Sequence, residues 1–139
     1  MTEADGRRWL KAKLARCAVK FQPIESGGTG FGIPDIYART RQHECWIELK
    51  IGKYIGMGVR TKFRPGQLLW IRDYASFGAR IKLLLFVPHL EGKDFTWWVF
   101  HNEYIKEAYT MQELTELGKG FLTGQVTSGV VFSTLFSNP

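Results

Sequence analysis

The chain has 139 residues, 45% of them hydrophobic and 23% charged, with a formal net charge of +6. That length and apolar content suit one ordinary hydrophobic core and argue against a disordered chain. No apolar run of about 18 residues could span a bilayer and no basic-then-apolar leader opens the sequence, so a soluble, cytoplasmic protein without a membrane partner is expected.

The charge is unevenly placed. Residues 1–64 carry 13 of the 19 Lys and Arg but 6 of the 13 acids, whereas residues 65–139 carry 6 bases and 7 acids. A positive field over the first half would attract a polyanion and make its binding salt-dependent, although small basic proteins also carry such charge for solubility alone.

In chain order, Glu3 to Ala18 reads as a helix with Leu10, Leu14, Cys17 and Ala18 on an inward stripe and Arg7, Arg8, Lys11 and Lys13 mostly outside it. Glu3 precedes Leu10 by seven residues, which at 100° per residue puts it within about 20° of the stripe and toward the core. It is equally an ordinary helix-start glutamate, favoured by the macrodipole. Val19 to Glu25 reads as a strand. Gly27-Gly28-Thr29-Gly30-Phe31-Gly32 should be a loop whose backbone can approach a phosphate or take positive φ, or else a plain turn. It lacks the Gly-Lys-Ser/Thr of a P-loop, so nucleotide hydrolysis is not supported.

Ile33 to Arg39 and Glu44 to Lys50 both read as strands, joined by the short polar segment Thr40 to His43. Side chains alternate along a strand, so Trp46, Glu48 and Lys50 share one face while Cys45, Ile47 and Leu49 take the other. Glu48 and Lys50 therefore project side by side, roughly 7 Å apart. Pairing the two strands brings Asp35 beside Glu48. Two converging carboxylates repel each other unless a cation neutralises them, and a hard oxygen donor set favours Mg²⁺, with Mn²⁺ able to substitute. Such an ion lowers the pKa of a bound water, and Lys50 can orient that water or offset charge in the transition state.

Ile51 to Arg64 spaces Lys53, Arg60, Lys62 and Arg64 among Gly52, Gly56 and Gly58. It reads as a mobile basic loop gripping a nucleic-acid backbone, or as a connector with no binding role. Pro65 suits the first turn of a helix running from Gln67 to Phe77 and stopped by Gly78. Arg80 to Val87 is a nearly continuous apolar run suited to a central strand buried on both sides, and Phe95 to His101 gives another strand. Asn102 suits the cap of a short helix, and Thr110-x-x-Glu113 reads as the capping box of a second one through Leu117. Val126 to Phe136 alternates small polar and apolar residues, as an added edge strand or a partner-binding arm does. Cys17 and Cys45 lack metal-ligand spacing and are expected as buried reduced thiols; the scattered His43, His89 and His101 are expected to be structural.

Pro34-Asp35 followed by Glu48-x-Lys50 resembles the signature of the PD-(D/E)xK nuclease superfamily. The glycine loop before it and Arg64-Pro65-Gly66-Gln67 after it make the likeness nearest to the VRR-Nuc proteins and related phage-type Holliday junction resolvase-like nucleases, over about residues 1–90. The resemblance implies an α/β fold with a restriction-endonuclease-like core, a mixed central β-sheet flanked by helices. It further implies one nuclease domain over 1–139, with a core of about 1–101 and a C-terminal extension of about 102–139. Asp35 and Glu48 would hold Mg²⁺, with Glu3 on the first helix or Glu25 before the glycine loop as the third carboxylate. Lys50 would assist the attacking water and Gln67 would face the site. Lys53, Arg60, Lys62, Arg64, Gly30 and Gly32 would meet nucleic acid. The implied activity is endonucleolytic cleavage of DNA, structure-selective for branched forms such as four-way junctions, by a homodimer. A site-specific or homing endonuclease of the same fold, or a binding module that no longer turns over, are the competing readings.

Overall fold

The computed structural model describes residues 1–24, 32–122, 124 and 126–137. Helix α1 (Glu3–Lys13) leads into strands β1 (Lys20–Pro23), β2 (Ile36–Arg39) and β3 (Glu44–Ile51). A hairpin of β4 (Lys53–Ile55) and β5 (Gly58–Arg60) follows, then α2 (Gln67–Ser76), β6 (Ile81–Pro88) and β7 (Phe95–His101). A 3-10 turn over Asn102–Tyr104, β8 (Ala108–Thr110), α3 (Met111–Leu117), β9 (Lys119–Leu122) and α4 (Ser128–Phe136) complete the order.

The main sheet has six strands in the order β1-β2-β3-β6-β7-β9. Its central pair, β3 and β6, is parallel and every other pair is antiparallel. Parallel pairing needs a crossover, and the segment carrying α2 supplies it. Every residue from Ile81 to Val87 is buried, as its unbroken apolar run requires of a central strand.

Each face of the sheet has its own core. Cys45, Ile47 and Leu49 of β3 pack with Leu84, Phe86 and Trp97 under Leu10 of α1, Leu14 at its C-terminal cap, and Val131 and Leu135 of α4. Ile81, Leu83, Leu85 and Phe100 pack on the other face under Ile71 of α2, Leu114 of α3, and Val59 and Tyr109 of a second sheet ordered β4-β5-β8. The expected alternation along β3 therefore holds, with Trp46 on the second face and Cys45 on the first. Burial pushes the Cys45 thiol up to about 12, so it is an inert core group.

Four local expectations are corrected. Helix α1 stops at Lys13 rather than Ala18; beyond its cap at Leu14 the chain bends, and Cys17 still packs against the core. The segment after β3 is not a structureless loop but the β4-β5 hairpin, because Tyr54 and Val59 pair across it and Val59 is buried. Asn102 does not cap a helix: its side chain accepts from Ile81 N–H at 2.7 Å and donates to Ala79 C=O at 2.9 Å, stitching the start of β6. The tail is neither edge strand nor arm but helix α4, capped by Thr127 whose hydroxyl accepts from Val130 N–H. Its Val, Thr and Phe content looks strand-like, but Val131 and Leu135 are four apart on one buried face and helical packing overrides propensity. The capping box expected at Thr110 and Glu113 is present.

Because Leu135 is essentially inaccessible, Leu135→Ala should lower unfolding stability by about 2–4 kcal/mol. Urea unfolding measures this; an unmoved midpoint would mean that the tail contributes nothing to the core.

Candidate active site

The site forms where β2 ends and β3 continues. The ladder pairs Ile36 with Ile47, and its continuation sets Asp35 opposite Glu48. Since β2 begins only at Ile36, one residue later than the site needs, Leu49 N–H has no strand partner there; the Asp35 carboxylate accepts it at 3.0 Å in place of a backbone carbonyl. This contact aims Asp35 along the edge of β3.

Glu48 and Lys50 point from β3 toward α2 and are buried, their side chains 1% and 6% exposed. Gln67, the first residue of α2, joins them. Its Nε2 donates to Glu48 Oε1 at 2.9 Å, and its Oε1 accepts from Lys50 Nζ at 3.0 Å and from Arg64 N–H at 2.6 Å. These three bonds orient the amide uniquely. Lys50 Nζ also lies 3.5 Å from Glu48 Oε1, 3.9 Å from Glu3 Oε1 and 5.2 Å from the centre of the Phe63 ring. The positive end of Lys50 is thus held by one amide, two carboxylates and an aromatic face.

Glu3 differs from its expected placement. Thr2 and Asp5 form a capping box that starts α1 at Glu3, leaving the side chain in the first turn and 46% exposed rather than turned into the core. It nevertheless reaches the site from the rim. Ligand-competent oxygens of Glu3, Asp35 and Glu48 all lie within 4.8 Å of one another. Glu25, the alternative third carboxylate, and Gly30 lie outside the described residues.

The donor set suits a hard divalent cation on two counts. It is all oxygen, and Glu48 Oε2 is buried with no hydrogen bond among the described residues, a state that a carboxylate keeps only at high cost unless a proton or a cation meets it. Burial first, and the adjacent Asp35 charge second, push the Glu48 carboxyl up to about 8, while Lys50 pulls the other way.

The other expected residues fall in two places. Arg64 lines a cleft of about 450 Å³ with Glu3, Asp35 and Leu49. Lys53, Arg60 and Lys62 are exposed outside that cleft, on the hairpin and the segment after it. Gly32 takes φ +85°, and a Cβ there would stand 2.3 Å from the Gly66 carbonyl oxygen, so the start of α2 packs directly on its backbone. Pro65 lies outside the helix; Gly66, with φ +88°, is its N-cap. Arg7, which the helical pattern set aside as solvent-facing, also lines the cleft. Its position four residues after Glu3 was the available signal.

No protein-family model matches the chain, and no curated protein matches it in sequence. Among solved structures it is similar to Hjc, a Holliday junction resolvase from the archaeal hyperthermophile Archaeoglobus fulgidus. The TM-score is 0.58 over 82% of this chain and 93% of that one, at 17% sequence identity. The fold is therefore that of a resolvase-type nuclease, a mixed α/β sheet flanked by helices, as the sequence led one to expect.

A carboxyl whose folded pKa is raised favours folding in its protonated form. In the metal-free protein the Glu48 penalty is absent below its unfolded value of 4.5, grows as pH rises, and is complete above about 8. Thermal melts in chelator should show Glu48→Gln matching wild type at low pH and exceeding it progressively as pH rises through that window. A constant difference across the window would contradict the assignment.

Proposed function

We propose that the protein is a Mg²⁺-dependent DNA endonuclease of the PD-(D/E)xK superfamily, nearest within it to the VRR-Nuc and phage-type junction-resolving nucleases. The observation that carries this reading is the buried oxygen of Glu48, without a hydrogen bond among the described residues, close to Asp35 and Glu3 and beside Lys50. Purely structural strands that carry Glu and Lys two apart leave both in solvent; here both are buried, a costly arrangement that a solvated face does not need. The resolvase fold supports the same class.

Asp35, Glu48 and Glu3 would hold the ion, with Glu25 as the alternative third carboxylate, and Mn²⁺ could replace Mg²⁺ on the same oxygens. When bound, the ion supplies a Lewis acid and a water acidic enough to attack phosphorus. The chain's own contribution is positional. Asp35 is aimed by Leu49 N–H and Glu48 by Gln67, so neither carboxylate needs to reorganise. Lys50, with one N–H committed to Gln67, has others left to hold a water or a phosphoryl oxygen, and its charge offsets the negative charge that develops there. Arg7 and Arg64 line the cleft beside the acids and suit the phosphates next to the scissile one. Lys53, Arg60 and Lys62, with the Gly30–Gly32 segment, would extend contact along the backbone.

Branched DNA is the substrate we favour, the Holliday junction above all, because the fold is similar to that of a Holliday junction resolvase. Cutting two strands of a junction requires two sites, hence a homodimer. We further read residues 1–139 as one nuclease domain working inside the cell; among the described residues no helix is long and apolar enough to cross a membrane.

Glu48→Ala should abolish cleavage while leaving DNA binding in Ca²⁺ intact; unchanged cleavage would remove the mechanism. A mobile four-way junction should be cut in strong preference to a linear duplex of the same sequence. Equal cutting would favour a site-specific or homing enzyme of the same fold.

A further inference from the structure

The β4-β5 hairpin contributes no ligand to the metal site, yet it is built unlike an ordinary surface turn. At its base Lys53 and Arg60 stand directly opposite each other in the ladder, where like charges destabilise pairing unless an anion comes between them. At its tip Ile55 pairs with Gly58 around a two-residue loop. Gly56 takes φ +59° and Met57 an ordinary negative φ, the pattern of a type II′ turn. This turn presents apolar side chains to solvent: Met57 is 84% exposed and Ile55 55%.

The tip is also braced. Strand β5 is backed by β8, and Met57 C=O accepts from Met111 N–H at 3.1 Å. At the root, Thr61 Oγ1 donates to Ile51 C=O at 3.0 Å and Gly52 N–H donates to Phe86 C=O at 2.8 Å. The hairpin is thus fixed to the strand that carries Glu48 and Lys50. Ile55 follows Lys50 by five residues, so its Cα lies at most about 18 Å from that of Lys50. At about 3.4 Å per nucleotide that is some five base steps.

Building on the nuclease reading, we infer that the β4-β5 tip, through Ile55 and Met57, is a wedge that enters the gap at a DNA branch point and unstacks the bases there, while Lys53 and Arg60 hold the flanking phosphates. Apolar side chains on a basic support are how proteins pry open base steps. A second copy pairing on the edge of β4, open among the described residues, would bring two basic stems together, whereas a polyanion neutralises them.

The test uses the full chain in Ca²⁺ with a four-way junction carrying 2-aminopurine beside the branch. Wild-type binding should raise its fluorescence severalfold. Ile55→Ser with Met57→Ser should bind the junction and leave the fluorescence at the level of free DNA. Met57→Lys, which adds charge, should keep or tighten binding and still lose most of the signal. Wild-type binding with no rise in fluorescence overturns the wedge while leaving the nuclease reading in place. A double Ser variant that sediments as a smaller species than wild type also overturns it, assigning the tip to a contact between copies. Absence of wild-type binding to both junction and duplex removes wedge and nuclease together.

Discussion

The arrangement around Glu48 rests on one unfavourable fact: a carboxylate is buried next to another carboxylate. Burial alone disfavours its charge, and Asp35 disfavours it further. Gln67 and Lys50 together satisfy one of its oxygens and leave the other bare. The protein keeps a destabilised group on β3, inside its pairing with β6 and just past the end of its pairing with β2, and strongly perturbed carboxyls of this kind cluster at functional sites.

The sheet topology makes this burial possible. Strand β6 lies parallel to β3 and pairs with it from Trp46 to Ile51, while β2 stops at Ile36 and, among the described residues, leaves the other edge of β3 to Asp35. Helix α2 covers Glu48 and Lys50 from one face, and the start of α1 reaches Lys50 over the open edge from the other. The site is therefore a seam between the two cores, assembled by elements that do not otherwise touch the same surface.

Much of this was legible in the order of residues. Strand alternation is a strict geometric rule, so Glu48 beside Lys50, and Asp35 opposite Glu48, follow once two strands and a tight turn are recognised. Gln67 was legible only through family resemblance, since nothing in its local pattern distinguishes a helix-start glutamine that faces solvent from one that faces a lysine. Glu3 shows the limit of angular arguments: the wheel places it near the apolar stripe, but in the first turn the stripe has run past the end of the core. The pairing of β5 with β8 joins Gly58 to Thr110, and such distant partners leave no local trace. Helix α4 hides in the sequence because its alternation of small polar and apolar residues masks the four-residue spacing of the buried Val131 and Leu135.

The parallel pairing of β3 with β6 has a bearing on how the protein comes into being. The local β2-β3 hairpin sets Asp35 opposite Glu48, but α2 covers Glu48 and Lys50 inside the crossover that ends in the β3-β6 pairing, and a long-range parallel contact closes slowly. Before then Glu48 is a solvated carboxylate, free of the burial that raises its pKa. The electrostatic strain on Glu48 is thus absent from a nascent chain emerging from the ribosome and arrives in one step with the finished sheet.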